Sequence, residues 1–369
     1  MSSNFMTEWL FSRKASKVDV LDALRVIATL FVFLLHGREF IPGLNGSDTF
    51  VGKWMYFPAW SGVWIFLFLS AYLFGLNMMR NKYSIINAAG GVSVNKLLGF
   101  YISRLFRLAP LYYLYLALFD LFHGGDLLIN YSLTVLKSIF FLSNGVDSPI
   151  GIGHLWYMST ALQLYVLMPF IWYGLEKLSK SCGRLILLFI GFLFLGLIIR
   201  LTLFYYNYDW YRYVYTSFAA NLDFVVCGIL AARIIPSLSI VERDKFLSAG
   251  GFFLLVVFNM YLYATGRVEI YQYVLPTLYI LFTTYLIASF RCKERQHGII
   301  NSLAKYSYAF YVFHIAVFVY VTHVLSHFGL NRIHSITSRY VIFFVLSSLI
   351  TLAFSYLFTQ FTTVKRKER

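Results

Sequence analysis

Charge is scarce in this chain. Only 13% of its 369 residues are charged, about half of what a soluble globular protein carries, and no long polar stretch separates the apolar runs. That balance excludes a soluble enzyme and a disordered tail-like protein. Cysteine is also scarce: Cys182, Cys227 and Cys292 stand in neither CxxC nor Cys/His spacing, which excludes a disulfide framework and a zinc site built on them. An internal repeat is missing, and so is a matched pair of Gly/Pro-broken short spans in two halves, the pattern common among secondary carriers. The first apolar run has no small-residue cleavage site and carries Asp22 and Arg25, so it is expected to remain as a helix rather than be removed as a signal peptide.

What is present is apolar: 59% hydrophobic residues and 20% aromatics. Windows of about twenty apolar residues fall near 19–37, 56–79, 104–122, 155–174, 185–205, 213–235, 246–265, 270–290, 303–325 and 340–361. They predict one all-α polytopic domain over residues 1–369, with about ten transmembrane helices. Lys and Arg favour one side of that arrangement by roughly three to one, which puts both termini in the cytoplasm. The net charge of +15 is thereby explained as positive-inside bias, without a nucleic-acid partner. Cys182 and Cys292 then fall in cytoplasmic loops and Cys227 in a span, where reduced thiols are expected. The outer loop near 123–154 contains TVLKSIFFLSN, which predicts a short re-entrant or interfacial segment.

Polar residues inside apolar runs carry the functional signal, because each costs about 2.5–3.5 kcal/mol at the centre of a bilayer. Arg25 and His36 stand eleven residues apart in the first run, and eleven steps of about 100° return a helix to nearly the same face, some 16 Å further along. Either Arg25 snorkels to headgroups and His36 caps the helix, or one face carries a working cation and imidazole. Arg104 and Arg107 in SRLFRLAP share a face at i, i+3; they are either membrane anchors or a fork for phosphate. In GHLWYMSTALQLYVLMPF, His154 and Trp156 meet the fourth span and Gln163 lies within it. An interfacial Trp is a belt anchor or a platform for a sugar ring. Asp223, deep in the sixth window, requires a partner such as Arg25, Arg200 or a His. His314 reads first as a hydrogen-bonded core histidine, while His323, His327 and His334 show no metal-ligand register.

Together these segments resemble membrane-bound acyltransferase family 3, in the polysaccharide O-acetyltransferase type without a fused hydrolase-like domain. LDALRVIATLFVFLLHG is similar to its Arg-ten-residues-His first helix, SRLFRLAP to its RxxR element, GVWIFLFLSAYLFG to its Gly-rich second helix, GHLWYMSTALQLYVLMP to its His-Leu-Trp segment, NLDFVVCG to its acidic position, and SYAFYVFH to its late Ser-Tyr…His signature. Many relatives carry acidic residues after His-Leu-Trp, where this chain has Thr160, Ala161 and Leu162.

The resemblance implies acyl-CoA, acetyl-CoA first, as donor on the cytoplasmic side of a bacterial inner membrane, and a lipid-linked or periplasmic glycan as acceptor, with no metal. Arg104, Arg107 and Arg25 would hold the donor. His36 would act as general base or transient acyl carrier with Arg25 and Asp223 in the catalytic set, and Asp223 or Glu39 would orient the ring. His154, Trp156, Gln163, Tyr308 and His314 would meet substrate. No soluble domain follows the last run, so the chain is expected to finish the transfer itself. The alternative is a transporter or flippase that uses Arg25, His36 and Asp223 as a charge path.

Overall fold

A computed structural model describes residues 19–41, 60–83, 85–86, 91–122, 130–144, 151–178, 181–238, 244–265, 271–290, 298–329, 333 and 335–367, the side chains of 336 and 361–367 excepted. Cys292 and His334 lie outside them, as do several of the loop cations. The described elements are α1 (Asp19–Glu39), α2 (Trp60–Met79), α3 (Val94–Phe122), α4 (Ser132–Ile139), a 3-10 turn (Gly153–Leu155), α5 (Trp156–Leu178), α6 (Cys182–Tyr205), a π-helical turn (Trp210–Tyr215), α7 (Leu222–Ile234), a second 3-10 turn (Ile235–Ser237), α8 (Asp244–Ala264), α9 (Tyr271–Ser289), α10 (Gly298–His327) and α11 (Ile336–Lys367). No strand is formed among the described residues, only one isolated bridge between Ile86 and Val92. The protein is an all-α membrane protein, in which seven of these helices are long and apolar enough to cross a bilayer.

Four helices fall outside those seven for physical reasons; α4, with 8 residues, is simply too short. α3 and α9 have sufficient length, but α3 carries Lys96, Arg104, Arg107 and Asp120, and α9 is diluted by Tyr and Thr. α7 has only 13 residues, about 20 Å at 1.5 Å per residue, against about 30 Å of hydrocarbon. Its window predicts a continuous span from 213; the chain instead breaks after the π turn. Asn221 Nδ2 lies 2.7–3.0 Å from the carbonyls of Val214, Tyr215 and Ser217, and Thr160 Oγ1 donates to Thr216 O at 2.8 Å. Irregular backbone at membrane depth survives only with protein partners of this kind.

The helices pack in a row: α11 on α10, α10 on α1, α1 on α2, α2 on α7, and α7 on α6. α9 contacts α2, α6 and α8, while α3 and α5 pack on each other and reach the row through α10, α2 and α7. α2 and α7 form the centre, with Phe68, Ala71, Phe74, Phe224, Val225, Ile229 and Leu230 nearly inaccessible. At the periphery Leu187, Phe194 and Ile198 of α6 and Phe246, Phe253 and Leu254 of α8 are exposed, as apolar residues facing lipid should be. Between helices in lipid the hydrophobic drive is weak, so small residues and close contact decide. Ala71 and Gly75 on α2 face Gly228 and Ala232 on α7, each pair four residues apart. A Cβ on Gly228 would stand 2.8 Å from Phe68 O and from Ala71 Cβ.

Replacing Gly228 by Val should therefore lower the midpoint of thermal aggregation in detergent, at a cost of about 1–3 kcal/mol for overpacking. Gly250→Ala, whose new methyl meets nothing within 4 Å, should leave it unchanged or slightly raised.

Candidate active site

α1 is the axis of the site. The side chains of Arg25 and His36 line two different cavities, each of about 290 Å³. At the Arg25 end, Lys82 at the foot of α2 and Arg104 and Arg107 on α3 converge on the same space, and among the described residues no carboxylate lines it. Arg25 is paired one turn upstream with Asp22 at 2.5 Å, which holds the guanidinium against the wall. Arg104 donates from Nη2 to the Tyr83 hydroxyl, and its guanidinium carbon lies 5.1–5.5 Å from the ring centroids of Phe100, Tyr165 and Tyr83. Those rings fix the fork while leaving Arg107 exposed at the entrance. A site with four cations and tyrosine hydroxyls suits a polyanion such as phosphate esters.

At the other end, the 3-10 turn and the break before α7 assemble the second cavity. Gly151 adopts φ 114° beneath the Phe119 ring, where a Cβ would collide, and Tyr115 donates to its carbonyl at 2.6 Å. That turn delivers His154, buried, to the start of α5. His36, His154 and His314 then cluster, with ring centroids 5.1 Å apart for His36–His314 and for His154–His314, and 6.4 Å for His36–His154. Trp60, Trp156, Tyr211 and Tyr215 form the aromatic wall, with Tyr215 4.6 Å from Trp60 and 4.7 Å from Trp156, and Glu39 joins the lining.

The hydrogen bonds set the proton positions. His314 Nδ1 lies 2.5 Å from Tyr311 O, and a carbonyl only accepts, so Nδ1 carries the proton. In a neutral ring His314 Nε2 is then a lone pair, and His36 Nδ1, 2.9 Å away, must donate to it. The neutral His36 ring is left with a lone pair on Nε2 that no described residue engages, the form required of a base or nucleophile. His154 donates from Nε2 to Val312 O at 3.1 Å. Its Nδ1 is buried without a partner among the described residues.

The remaining residues expected at the site divide. Trp156 lines the histidine cavity and Tyr308 the arginine cavity, the latter donating to Leu108 O at 2.6 Å. Gln163 lines neither; it forms a reciprocal amide pair with Asn144 at 3.0 Å and donates to Phe141 O, tying α5 to the chain after α4. Asp223 also lines neither. Its Oδ2 accepts from Arg200 Nη2 at 2.7 Å, while the same guanidinium donates to Ala220 O, Tyr273 O and Thr277 Oγ1. Gly196, where any Cβ would meet the Asp223 carboxylate, leaves room for the pair. Asp223 thus joins α6, α7 and α9 rather than meeting His36. Among the described residues no cluster of three or more His, Cys, Asp or Glu has metal-holding geometry.

Sequence reasoning missed Lys82, Tyr83 and Tyr165 around the cations, and Trp60, Tyr211, Tyr215 and Tyr311 around the histidines. The one available signal was the aromatic run WYRYVY at 210–215, which the apolar window absorbed.

A family model described as "Acyltransferase domain" matches residues 18–360, taking in every residue of both cavities. A Caenorhabditis elegans protein named "Regulator of hypoxia-inducible factor 1" is 30% identical over 195 residues, covering 46% of this chain and 37% of that protein. The chain thus spans little more than a third of that curated relative. No solved structure matches.

Removing the Asp223 carboxylate strands a buried guanidinium, which costs about 3–5 kcal/mol. Asp223→Ala should accordingly lose folded protein in a detergent thermal-shift assay. His36→Ala strands no charge and orphans only the neutral Nε2 of His314, a cost of about 1–3 kcal/mol, so its midpoint should fall less than that of Asp223→Ala.

Proposed function

The chain belongs to acyltransferase family 3, and from that premise we propose that it transfers a short acyl group, acetyl first, from acyl-CoA to a glycan hydroxyl. The observation that carries this reading is the division of one helix face between two cavities, Arg25 in the cationic one and His36 in the imidazole-lined one. The CoA phosphates match Arg104, Arg107, Lys82 and Arg25, and the pantetheine arm is extended enough to cover the roughly 16 Å from Arg25 to His36. An acceptor sugar matches the wall of Trp60, Trp156 and Tyr215, whose apolar faces and polar edges suit a pyranose ring. The acceptor class is an envelope glycan, lipid-linked or outside the membrane. The donor side is the cytoplasm, with both termini there and the chain crossing a bacterial inner membrane.

In direct transfer the acceptor oxygen attacks the thioester carbonyl as its proton passes to His36 Nε2. The C–S bond then breaks, and the thiolate takes the proton to leave as CoA thiol. His314 acts as a positioning residue, because its Nε2 lone pair keeps the His36 proton on Nδ1. The same free lone pair serves equally for a covalent route in which His36 Nε2 first accepts the acyl group and then yields it to the acceptor. Donor binding draws on charge-assisted hydrogen bonds, each worth about 1.5–3 kcal/mol.

A carrier reading would need Arg25, His36 and Asp223 in one path. Asp223 is neutralised by Arg200 and lines neither cavity, which favours the enzyme.

The test is thiol release from acetyl-CoA by purified protein in nanodiscs, supplied with glycan acceptor. His36→Ala should lower kcat about 10²–10⁴-fold without loss of fold. The Arg104→Ala/Arg107→Ala variant should raise KM for the donor about 10–100-fold. Full turnover in His36→Ala would sink the assignment, and binding of neither acyl-CoA nor CoA by the wild type would return the carrier reading.

A further inference from the structure

Tyr311 lines both cavities, and among the described residues it is the one side chain the two linings share. On α10 it sits between Tyr308, which faces the cationic cavity, and Ile315, which faces the imidazoles. The spacing of three and then four residues keeps all three on one helix face. Tyr311 is 4% exposed, and its ring packs 5.4 Å from Tyr157, 5.6 Å from His314 and 5.7 Å from His154. Its hydroxyl donates to the carbonyl of His154, while its own carbonyl receives the His314 proton. The backbone of Tyr311 is thus committed to the histidine cluster. Its side chain is held by packing and a single neutral hydrogen bond.

We propose that the Tyr311 side chain is the partition between the donor and acceptor cavities, and that its bulk restricts the enzyme to short acyl groups. The proposal rests on the donor and acceptor assignment above. A thioester whose phosphates stay with Arg104 and Arg107 must pass this ring to bring its carbonyl to His36. Beyond the ring the imidazole cavity is lined by Val32, Leu35 and Ile315 and holds about 290 Å³, so a two-carbon acyl group leaves space for the acceptor where a long chain takes it. The ring also separates the thioester from water on the acceptor side, since among the described residues it is the one side chain that lines both cavities. Shortening residue 311 merges the cavities: longer acyl chains gain room, and water can take the place of the acceptor, giving free carboxylate and CoA thiol.

The experiment compares acetyl-, butyryl- and octanoyl-CoA in nanodiscs, reading thiol release with and without acceptor, for wild type, Tyr311→Phe, Tyr311→Leu and Tyr311→Ala. The expected result is an octanoyl-to-acetyl kcat/KM ratio raised at least tenfold in Tyr311→Ala and less in Tyr311→Leu, together with acceptor-independent hydrolysis raised severalfold. Tyr311→Phe keeps the ring and should keep the wild-type ratio, which separates bulk from the hydroxyl bond. If Tyr311→Ala does not fold, the leucine variant carries the same comparison. A folded Tyr311→Ala or Tyr311→Leu with the wild-type ratio overturns the partition, as does a Tyr311→Phe ratio shifted as far as that of alanine. Wild-type protein that turns over none of the three thioesters overturns the donor assignment itself and the partition with it.

Discussion

Inside a bilayer every backbone amide, carbonyl and charge must find its partner within the protein, because lipid offers none. That constraint organises this molecule more than any single hydrophobic contact. The break between the π turn and α7 exists because the Asn221 amide and the Thr160 hydroxyl serve the carbonyls that the break frees. Arg200 is tolerated at 1% exposure because a carboxylate, a hydroxyl and two carbonyls surround it. The three histidines are joined to one another or to backbone carbonyls of α10. Each of these arrangements also places something at the site. The break turns Tyr211 and Tyr215 toward the histidine cavity, and the bond to Tyr311 O leaves His36 Nε2 free.

The same constraint sorts the arginines by role. Arg200 spends its donors on a carboxylate, a hydroxyl and two carbonyls, so it behaves as a staple between α6, α7 and α9. Arg104 spends one donor on Tyr83 and is otherwise surrounded by rings, and Arg107 stands exposed at the entrance. Donors left over at the mouth of a cavity are what an incoming anion uses, whereas a buried guanidinium with four of its donors already committed has little to offer it. Asp223 is on the staple side of that division, which is why its depth in the membrane signals architecture.

The segment after His-Leu-Trp departs from many relatives by lacking acids, and the structure gives that departure content. Thr160 is committed to the carbonyl of Thr216, Ala161 lines the cationic cavity, and Ser159 is bonded to Ser143. The partner of His36 is instead a second imidazole, His314, supplied from α10. A neutral histidine partner fixes the tautomer of the ring without adding a charge to the cavity. That division of labour gives α10 a central role, since Tyr308, Tyr311, His314 and Ile315 meet one or both ends of the site from a single helix.

The amino-acid sequence by itself determined the fold class, most of the helical segments and the placing of Arg25 and His36 on one face. These follow from composition and from a helical period that operates within a single segment. It also marked Arg104, Arg107, His154, Trp156 and His314, because polar or aromatic residues at the ends and middles of apolar runs are conspicuous, and the family resemblance added Tyr308. Only the tertiary structure decided which of them meet. Asp223 chose Arg200, Gln163 chose Asn144, and His36 chose His314, 278 residues away, through contacts between helices whose order of packing no periodicity encodes. The short, interrupted helix at 222–234 was hidden for the same reason: its carbonyls are served by Asn221 and by Thr160 of a different helix, and a hydropathy window registers the apolar run but not the partners that permit it to break.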